Sequence, residues 1–207
     1  MEYEEKDLIK LSWDDFETHI SKIKNTVQKF LDENDSKIDV IVPVLRGGGI
    51  PAIRLAFMFK VIRIFPFQYK YLHEGKDSSL KKVYDSDFNS LINFKLKAPV
   101  ILIVEGNHST GTVANKVVSE IRQMVPESKI IYVSLAKDYN YKDSVKNVDF
   151  TTCSFYTNEN KKLSKEECEK LEIPFDKIFL FPWESVEEEL ASLNQADFDY
   201  NLASDFS

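Results

Sequence analysis

The sequence predicts an α/β fold: a mostly parallel, twisted sheet flanked by helices, with a small hood and an acidic C-terminal tail. Three observations predict it. Short apolar, β-branched runs alternate with segments whose apolar residues recur at helical spacing. Two of those runs end in glycine-containing turns that open helices, the first half of a βαβ unit. The chain has 207 residues, 43% of them hydrophobic. That is enough for one domain with a full core and marginal for two.

The elements follow in order. Ser12-Trp13-Asp14-Asp15 reads as a helix start, with Ser12 capping free N–H groups and Asp15 three residues on. Phe16, Ile20, Ile23, Val27, Phe30 and Leu31 then recur at helical spacing, and the helix is expected to end near Asn34. Residues 38–45, IDVIVPVL, suit a strand buried on both faces. Arg46-Gly47-Gly48-Gly49 follows, then an apolar helix over 51–58. A second strand is expected over 61–67. Residues 72–90 are polar, contain Gly75 and Ser78-Ser79, and read as a long loop. A third strand covers 100–104, a turn covers 105–112, and a helix covers 113–124 with Val117, Val118 and Ile121 inward. Further strands are expected at 129–135, 148–155 and 178–181. Residues 157–172, rich in lysine and glutamate, read as a helix-like insert. The domain is expected to span 1–184. The remainder, 185–207, is a tail that is either frayed or a docking segment.

Charge narrows the function classes. The net charge is −7. After Lys177 there is no Lys or Arg, while Glu184, Glu187, Glu188, Glu189, Asp197, Asp199 and Asp205 are all acidic. The rest of the chain is close to neutral, so it lacks the basic face that a general nucleic-acid binder needs. No apolar run approaches the roughly 18–20 residues that span a bilayer. Residues 1–10 are acidic and mixed, unlike a signal peptide, so a cytoplasmic location is expected. Cys153 and Cys168 have no zinc-like spacing and read as unpaired thiols.

Two segments carry chemistry. Residues 100–112 combine a buried strand, the acidic Glu105, and a Ser109-Thr110-Gly111-Thr112 turn that opens a helix. Such a tip aims several backbone N–H groups at one point, and the helix dipole adds positive potential. The hydroxyls of Ser109, Thr110 and Thr112 can add to the amides, and Gly111 keeps side chains out of the way. The same pattern also occurs in ordinary capped helices. The second segment, Arg46-Gly47-Gly48-Gly49, lies at the carboxyl end of the first strand, the edge where open α/β sheets bind ligands. Its arginine offers a planar fork suited to phosphate oxygens.

With those residues in view, the sequence resembles a known family. Ser-Trp-Asp-Asp-Phe, Val-Leu-Arg-Gly-Gly-Gly-Ile-Pro-Ala, Ile-Leu-Ile-Val-Glu with Ser-Thr-Gly-Thr, Leu-Ala-Lys and Phe-Pro-Trp-Glu occur in that order. Together they resemble the type I phosphoribosyltransferases, closest to the bacterial xanthine/hypoxanthine–guanine branch, over about residues 11–184. The resemblance implies transfer of ribose 5-phosphate from phosphoribosyl pyrophosphate (PRPP) to a nucleobase, a 6-oxopurine, with release of pyrophosphate. It implies Mg2+ as the cofactor, held in part by Glu105, and a homo-oligomer.

By match, Arg46, Gly47 and Gly48 form the pyrophosphate loop. Glu105 is the first of an acidic pair that holds the ribose hydroxyls, and a catalytic residue. His108, Ser109, Thr110, Gly111 and Thr112 wrap the 5-phosphate. On the residues alone, His108 is either a second catalytic candidate, a ring that titrates near neutrality, or an exposed loop histidine with no role. Lys137 meets the exocyclic oxygen of the base, and Ile178 and Phe179 supply stacking and a backbone contact. On the residues alone, Lys137 reads equally well as a solvated lysine at a strand end, and Trp183 as a core aromatic. Phe65-Pro66-Phe67 and Tyr69-Lys70-Tyr71 suit either a base pocket or a dimer face.

The sequence departs from the family pattern in three places. Gly106 stands where the second acidic residue belongs, Ser109 where purine-specific members carry aspartate, and Val113 where a Thr or Ser is usual. A carboxylate restored at 106 is expected to raise turnover if its absence is the limiting defect; an unchanged rate would show that another group fills the role. The alternative function is a non-catalytic sensor of the same fold that binds PRPP or a nucleotide. The missing Gly-x-x-x-x-Gly-Lys-Ser/Thr run argues against a P-loop enzyme.

Overall fold

The computed structural model describes residues 3–74, 77–87, 96 and 98–194, and at 71–74, 77, 78 and 85 the backbone alone. The first helix, α1 (Trp13–Glu33), starts where the sequence places it. Asp15 N–H donates to Ser12 Oγ (3.1 Å) and Ser12 N–H donates to Asp15 Oδ2 (2.8 Å), a reciprocal cap. Phe16, Ile20, Ile23, Val27 and Leu31 form its buried stripe.

The main sheet has six strands in the order β4-β3-β2-β5-β6-β7. They are β2 (Val40–Leu45), β3 (Phe67–Glu74), β4 (Asp77–Asp85), β5 (Val100–His108), β6 (Lys129–Asp138) and β7 (Phe150–Thr157). All neighbours are parallel except the β3/β4 pair. Alternate side chains of β2, β5 and β6 feed two cores. Ile41, Leu102, Val104, Ile131 and Val133 pack with α1 and with α2 (Gly49–Phe59). Val40, Val42, Ile101, Ile103, Ile130 and Tyr132 pack with Ala114, Val117, Val118 and Ile121 of α3 (Thr112–Met124). Burial on both faces explains why these strands read as unbroken apolar runs.

A second, two-stranded parallel sheet joins β1 (Leu8–Lys10) to β8 (Ile178–Leu180). The remaining helices are α4 (Lys165–Leu171), opened by a Ser164/Glu167 cap, and α5 (Val186–Leu193). No helix among the described residues is long and apolar enough to cross a membrane.

Four expectations change. Residues 61–66 bond to β2 only around Ile64: Phe65 N–H donates to Ile41 O (3.0 Å) and Ile41 N–H to Arg63 O (2.9 Å). Pro66 has no N–H to continue that ladder, so the strand proper begins at Phe67. The polar stretch expected as a loop contains β4, an antiparallel edge strand whose backbone pairing does not require apolar side chains. Residues 75, 76 and 88–90 of that stretch lie outside the described residues. β5 and β6 run past their apolar segments to His108 and Asp138, because polar residues complete the parallel ladder as well as apolar ones do. The start of the expected tail is helical and docked. Tyr3 N–H donates to Asn194 Oδ1 (2.8 Å), and Asn194 Nδ2 donates to Tyr3 O (3.0 Å). Asp197, Asp199 and Asp205 lie outside the described residues.

Candidate functional site

The parallel pairing of β2 with β5 sets two turns side by side at the carboxyl edge of the sheet. In the first, Gly48 N–H donates to Val44 O (2.8 Å) and Gly49 N–H to Arg46 O (2.9 Å), folding the chain directly into α2. Gly48 is a packing requirement, since a methyl group there would overlap the Val44 and Val104 carbonyl oxygens. Arg46 donates from both terminal guanidinium nitrogens to Glu188 Oε1 of α5 (3.2 and 3.1 Å).

The two turns touch at Gly47 and Gly106. A Cβ on Gly106 would lie 2.8 Å from Gly47 O and 2.9 Å from Gly47 C. Position 106 therefore has no room for a side chain unless the Arg46–Gly48 turn moves. A carboxylate at 106, expected to raise turnover if its absence is limiting, would enter space that the Gly47 backbone fills.

At the end of β5, Glu105 and His108 turn inward. The Tyr132 hydroxyl donates to Glu105 Oε2, and His108 Nδ1 lies 2.7 Å from Tyr132 Oη. With its proton directed to Glu105, that hydroxyl can accept from Nδ1. His108 Nε2 lies 2.8 Å from Ser144 Oγ and 3.3 Å from the Tyr141 carbonyl oxygen. His108 is 1% exposed, so its ring does not belong to the surface of the turn. The strand's extension to 108 is the reason. The Tyr132 hydroxyl is itself held far above its ordinary range by burial and by the Glu105 carboxylate.

The phosphate-type turn proper is Ser109 to Thr112. Gly111 adopts φ 82°, a left-handed backbone with no room for a side chain beside Ser144 and His108. Thr110 and Thr112 are exposed, and their hydroxyls are 3.0 Å apart. The first N–H groups of α3 have no partner within the helix, as at any helix start. Asn115 secures the turn from below, donating from Nδ2 to Gly111 O and Ser144 O (both 2.9 Å).

Lys137 and Phe179 line one cleft of about 620 Å³, together with His19, Lys22, Cys153 and Tyr156. Ile178, also expected at the base, is instead buried in β8. Lys137 is a buried residue, not a solvated strand end. Its ammonium donates to Thr151 Oγ1 (3.0 Å), lies 5.3 Å from the Tyr132 ring centre, and is pushed below its usual range by burial. Burial likewise raises the Cys153 thiol and pushes the Tyr156 hydroxyl to about 12. Trp183 packs in the core against Phe16 and Phe181.

Several residues at this edge escaped the sequence reading. Tyr132 was hidden inside an apolar run. The insert supplies Asn160, whose Nδ2 donates to Ser109 Oγ (3.0 Å) and to Asp138 Oδ2 (3.1 Å). It also supplies Glu159, which accepts from Asn107 Nδ2 (2.6 Å). Glu159, Glu184 and Glu189 are each raised above the usual carboxylate range, first by burial. The Ser164-x-x-Glu167 cap was legible and would have set the start of α4.

Glu105 and its surroundings do not fit a protein-held magnesium ion. One carboxylate oxygen accepts from Tyr132, the side chain is 14% exposed, and Gly106 adds no ligand. Among the described residues, no group of three or more His, Cys, Asp or Glu could hold a metal.

No protein-family model and no curated protein sequence matches the chain. Solved structures do. A purine phosphoribosyltransferase from Pyrococcus horikoshii superposes with a TM-score of 0.60 at 22% identity, over 86% of this chain and 95% of that one. A hypothetical protein from Neisseria gonorrhoeae with bound ppGpp gives 0.64 at 15% identity, over 94% and 99%. The Helicobacter pylori xanthine-guanine-hypoxanthine phosphoribosyltransferase gives 0.55 at 14% identity, over 89% and 99%. Sheet order, the two apposed turns and these superpositions agree, and the chain has the fold of the type I phosphoribosyltransferases.

Proposed function

We propose that this chain is a phosphoribosyltransferase that moves ribose 5-phosphate from phosphoribosyl pyrophosphate to a nucleobase of the 6-oxopurine class. The observation that carries the reading is the apposition of the two glycine turns on adjacent parallel strands, at Gly47 and Gly106. One sugar diphosphate can reach both turns at once. In this reading the amides and hydroxyls at Thr110, Gly111 and Thr112 receive the 5-phosphate, and the Arg46–Gly48 turn receives the diphosphate. Lys137 offers an ammonium to the exocyclic oxygen, and Phe179 covers a face of the base. A ring nitrogen of the base attacks the anomeric carbon as pyrophosphate leaves. The likeness to two purine phosphoribosyltransferases supports this choice of reaction.

A second reading is a binding protein of the same fold that holds a nucleotide without turning it over. Three observations favour it. Gly106 excludes a carboxylate, Glu105 is engaged by Tyr132, and Arg46 is paired with Glu188. The ppGpp-bound neighbour extends the nucleotide class to consider. One assay separates the readings: purified protein with phosphoribosyl pyrophosphate, magnesium and a panel of oxopurines. The enzyme reading expects pyrophosphate release with at least one base. Ligand binding with no release for any base would establish the binding protein instead.

A further inference from the structure

We propose that Glu159, from the insert, is the carboxylate that receives the ribose hydroxyls of the phosphoribosyl ligand. The inference rests on the reading above, and it gives the insert a role at that site. A ribose presents two neighbouring hydroxyl donors, and a carboxylate with two oxygens is the natural acceptor for them.

The two positions that the resemblance assigns to this task are constrained here: 106 carries no side chain, and 105 is held through one oxygen by Tyr132. At 106 a side chain would meet Gly47 O at 2.8 Å. At 105 one carboxylate oxygen, Oε2, is engaged by Tyr132 and lies 3.7 Å from His108 Nδ1, and the side chain is 14% exposed. The next polar residue along β5 is Asn107, which is exposed, and it holds Glu159 Oε2 at 2.6 Å. Glu159 Oε1 accepts no hydrogen bond among the described residues, so one carboxylate oxygen is available to a ligand.

The turn that carries Glu159 is fixed on both sides. Asn158 Oδ1 accepts from Leu163 N–H (2.9 Å), and Asn158 Nδ2 donates to Leu163 O (3.1 Å). Asn160 N–H donates to Asp138 Oδ2 (2.8 Å), and Asn160 Nδ2 reaches Ser109 Oγ (3.0 Å). Glu159 therefore stands one residue from a direct contact with the first residue of the phosphate-type turn. Its charge is supported from β5 by Asn107 and opposed by Glu105 of β5, Asp138 of β6 and Glu189 of α5. Two hydroxyl donors would relieve that opposition, as donors to a crowded carboxylate do.

The test compares ribose 5-phosphate with 2-deoxyribose 5-phosphate by calorimetric titration of the full chain, its E159A variant and its E159Q variant, each checked by thermal melting. The unmodified chain is expected to prefer ribose 5-phosphate about tenfold, the worth of a hydrogen bond to a charged acceptor. In E159A that preference disappears while both sugars still bind. E159Q keeps the side-chain volume and shows a reduced preference, which serves as the readout if E159A fails to fold. A tenfold preference retained in both variants overturns the proposal. So does equal weakening of both sugars, the mark of a purely structural role. If the unmodified chain binds neither sugar phosphate, the reading of the site as phosphoribosyl-binding fails with it. Binding of both sugars without preference overturns Glu159 alone.

Discussion

The turn after β5 and the turn after β2 are built on the same principle and differ in what surrounds them. After β5, Ser109 to Thr112 presents two exposed hydroxyls and a helix N-terminus outward, and is held from beneath by Asn115 and Ser144. After β2, Arg46 to Gly48 is wedged. Gly48 sits against the carbonyls of Val44 and Val104, Gly47 against Gly106, and Arg46 is bridged to Glu188 of α5. One turn keeps its threonine hydroxyls exposed, and the other is fixed by its own neighbours. The comparison shows where the chain departs from its family resemblance. The departures at Gly106, Ser109 and Val113 all lie on β5, its turn and the start of α3, while the Arg46–Gly48 turn keeps the glycines of the resemblance and gains a contact from α5.

Substitutions can break or sharpen this contrast. The largest expected effect is Gly48→Ala, because the added methyl group meets backbone on two strands that cannot both move. It should cost about 3 kcal/mol of stability, read by urea unfolding. Gly106→Asp should cost about 2 kcal/mol for the same reason and should not raise pyrophosphate release. A stable, more active Gly106→Asp protein would show that the wedge yields easily. Gly111→Ala adds a side chain at φ 82°, and should lose about 1–3 kcal/mol together with about tenfold in ribose 5-phosphate affinity by titration.

Glu189 adds a pH dependence. Its folded-state pKa lies above the ordinary value of 4.5, chiefly through burial and then through Glu184 and Glu188. A raised carboxyl favours the fold fully below the unfolded pKa, and the benefit is lost as pH rises through the folded pKa. Glu189→Gln should therefore raise the melting temperature at pH 7 and change it little at pH 4. The smallest effect is expected from Glu188→Gln. The Arg46–Glu188 pair is partly exposed and worth about 0.2–1 kcal/mol, so its loss should tighten pyrophosphate binding by about two- to fivefold.

The fold was legible because its signals are local. The Ser12/Asp15 cap, the apolar runs of β2, β5 and β6 and the glycine turns each state their own conformation. The placement of several candidate residues was also legible: Arg46, Thr110 and Gly111 stand on the carboxyl edge, and Lys137 and Phe179 line the cleft. What the sequence hid depends on contacts between distant segments. His108 reads as a loop residue until β6 supplies Tyr132, and Gly106 reads as a missing carboxylate until Gly47 arrives against it. The insert reads as a helix-like segment until Glu159 bonds across to β5 and Asn160 to β6. The β3/β4 hairpin was missed because an edge strand is held by backbone pairing and needs no apolar pattern.

The most direct test is a crystal structure of the chain with phosphoribosyl pyrophosphate bound. The account predicts the 5-phosphate on the amides of Thr110 to Thr112 and the diphosphate against Arg46 to Gly48, spanned by a single ligand. A ligand that reaches only one of the two turns, or that binds away from both, would contradict it.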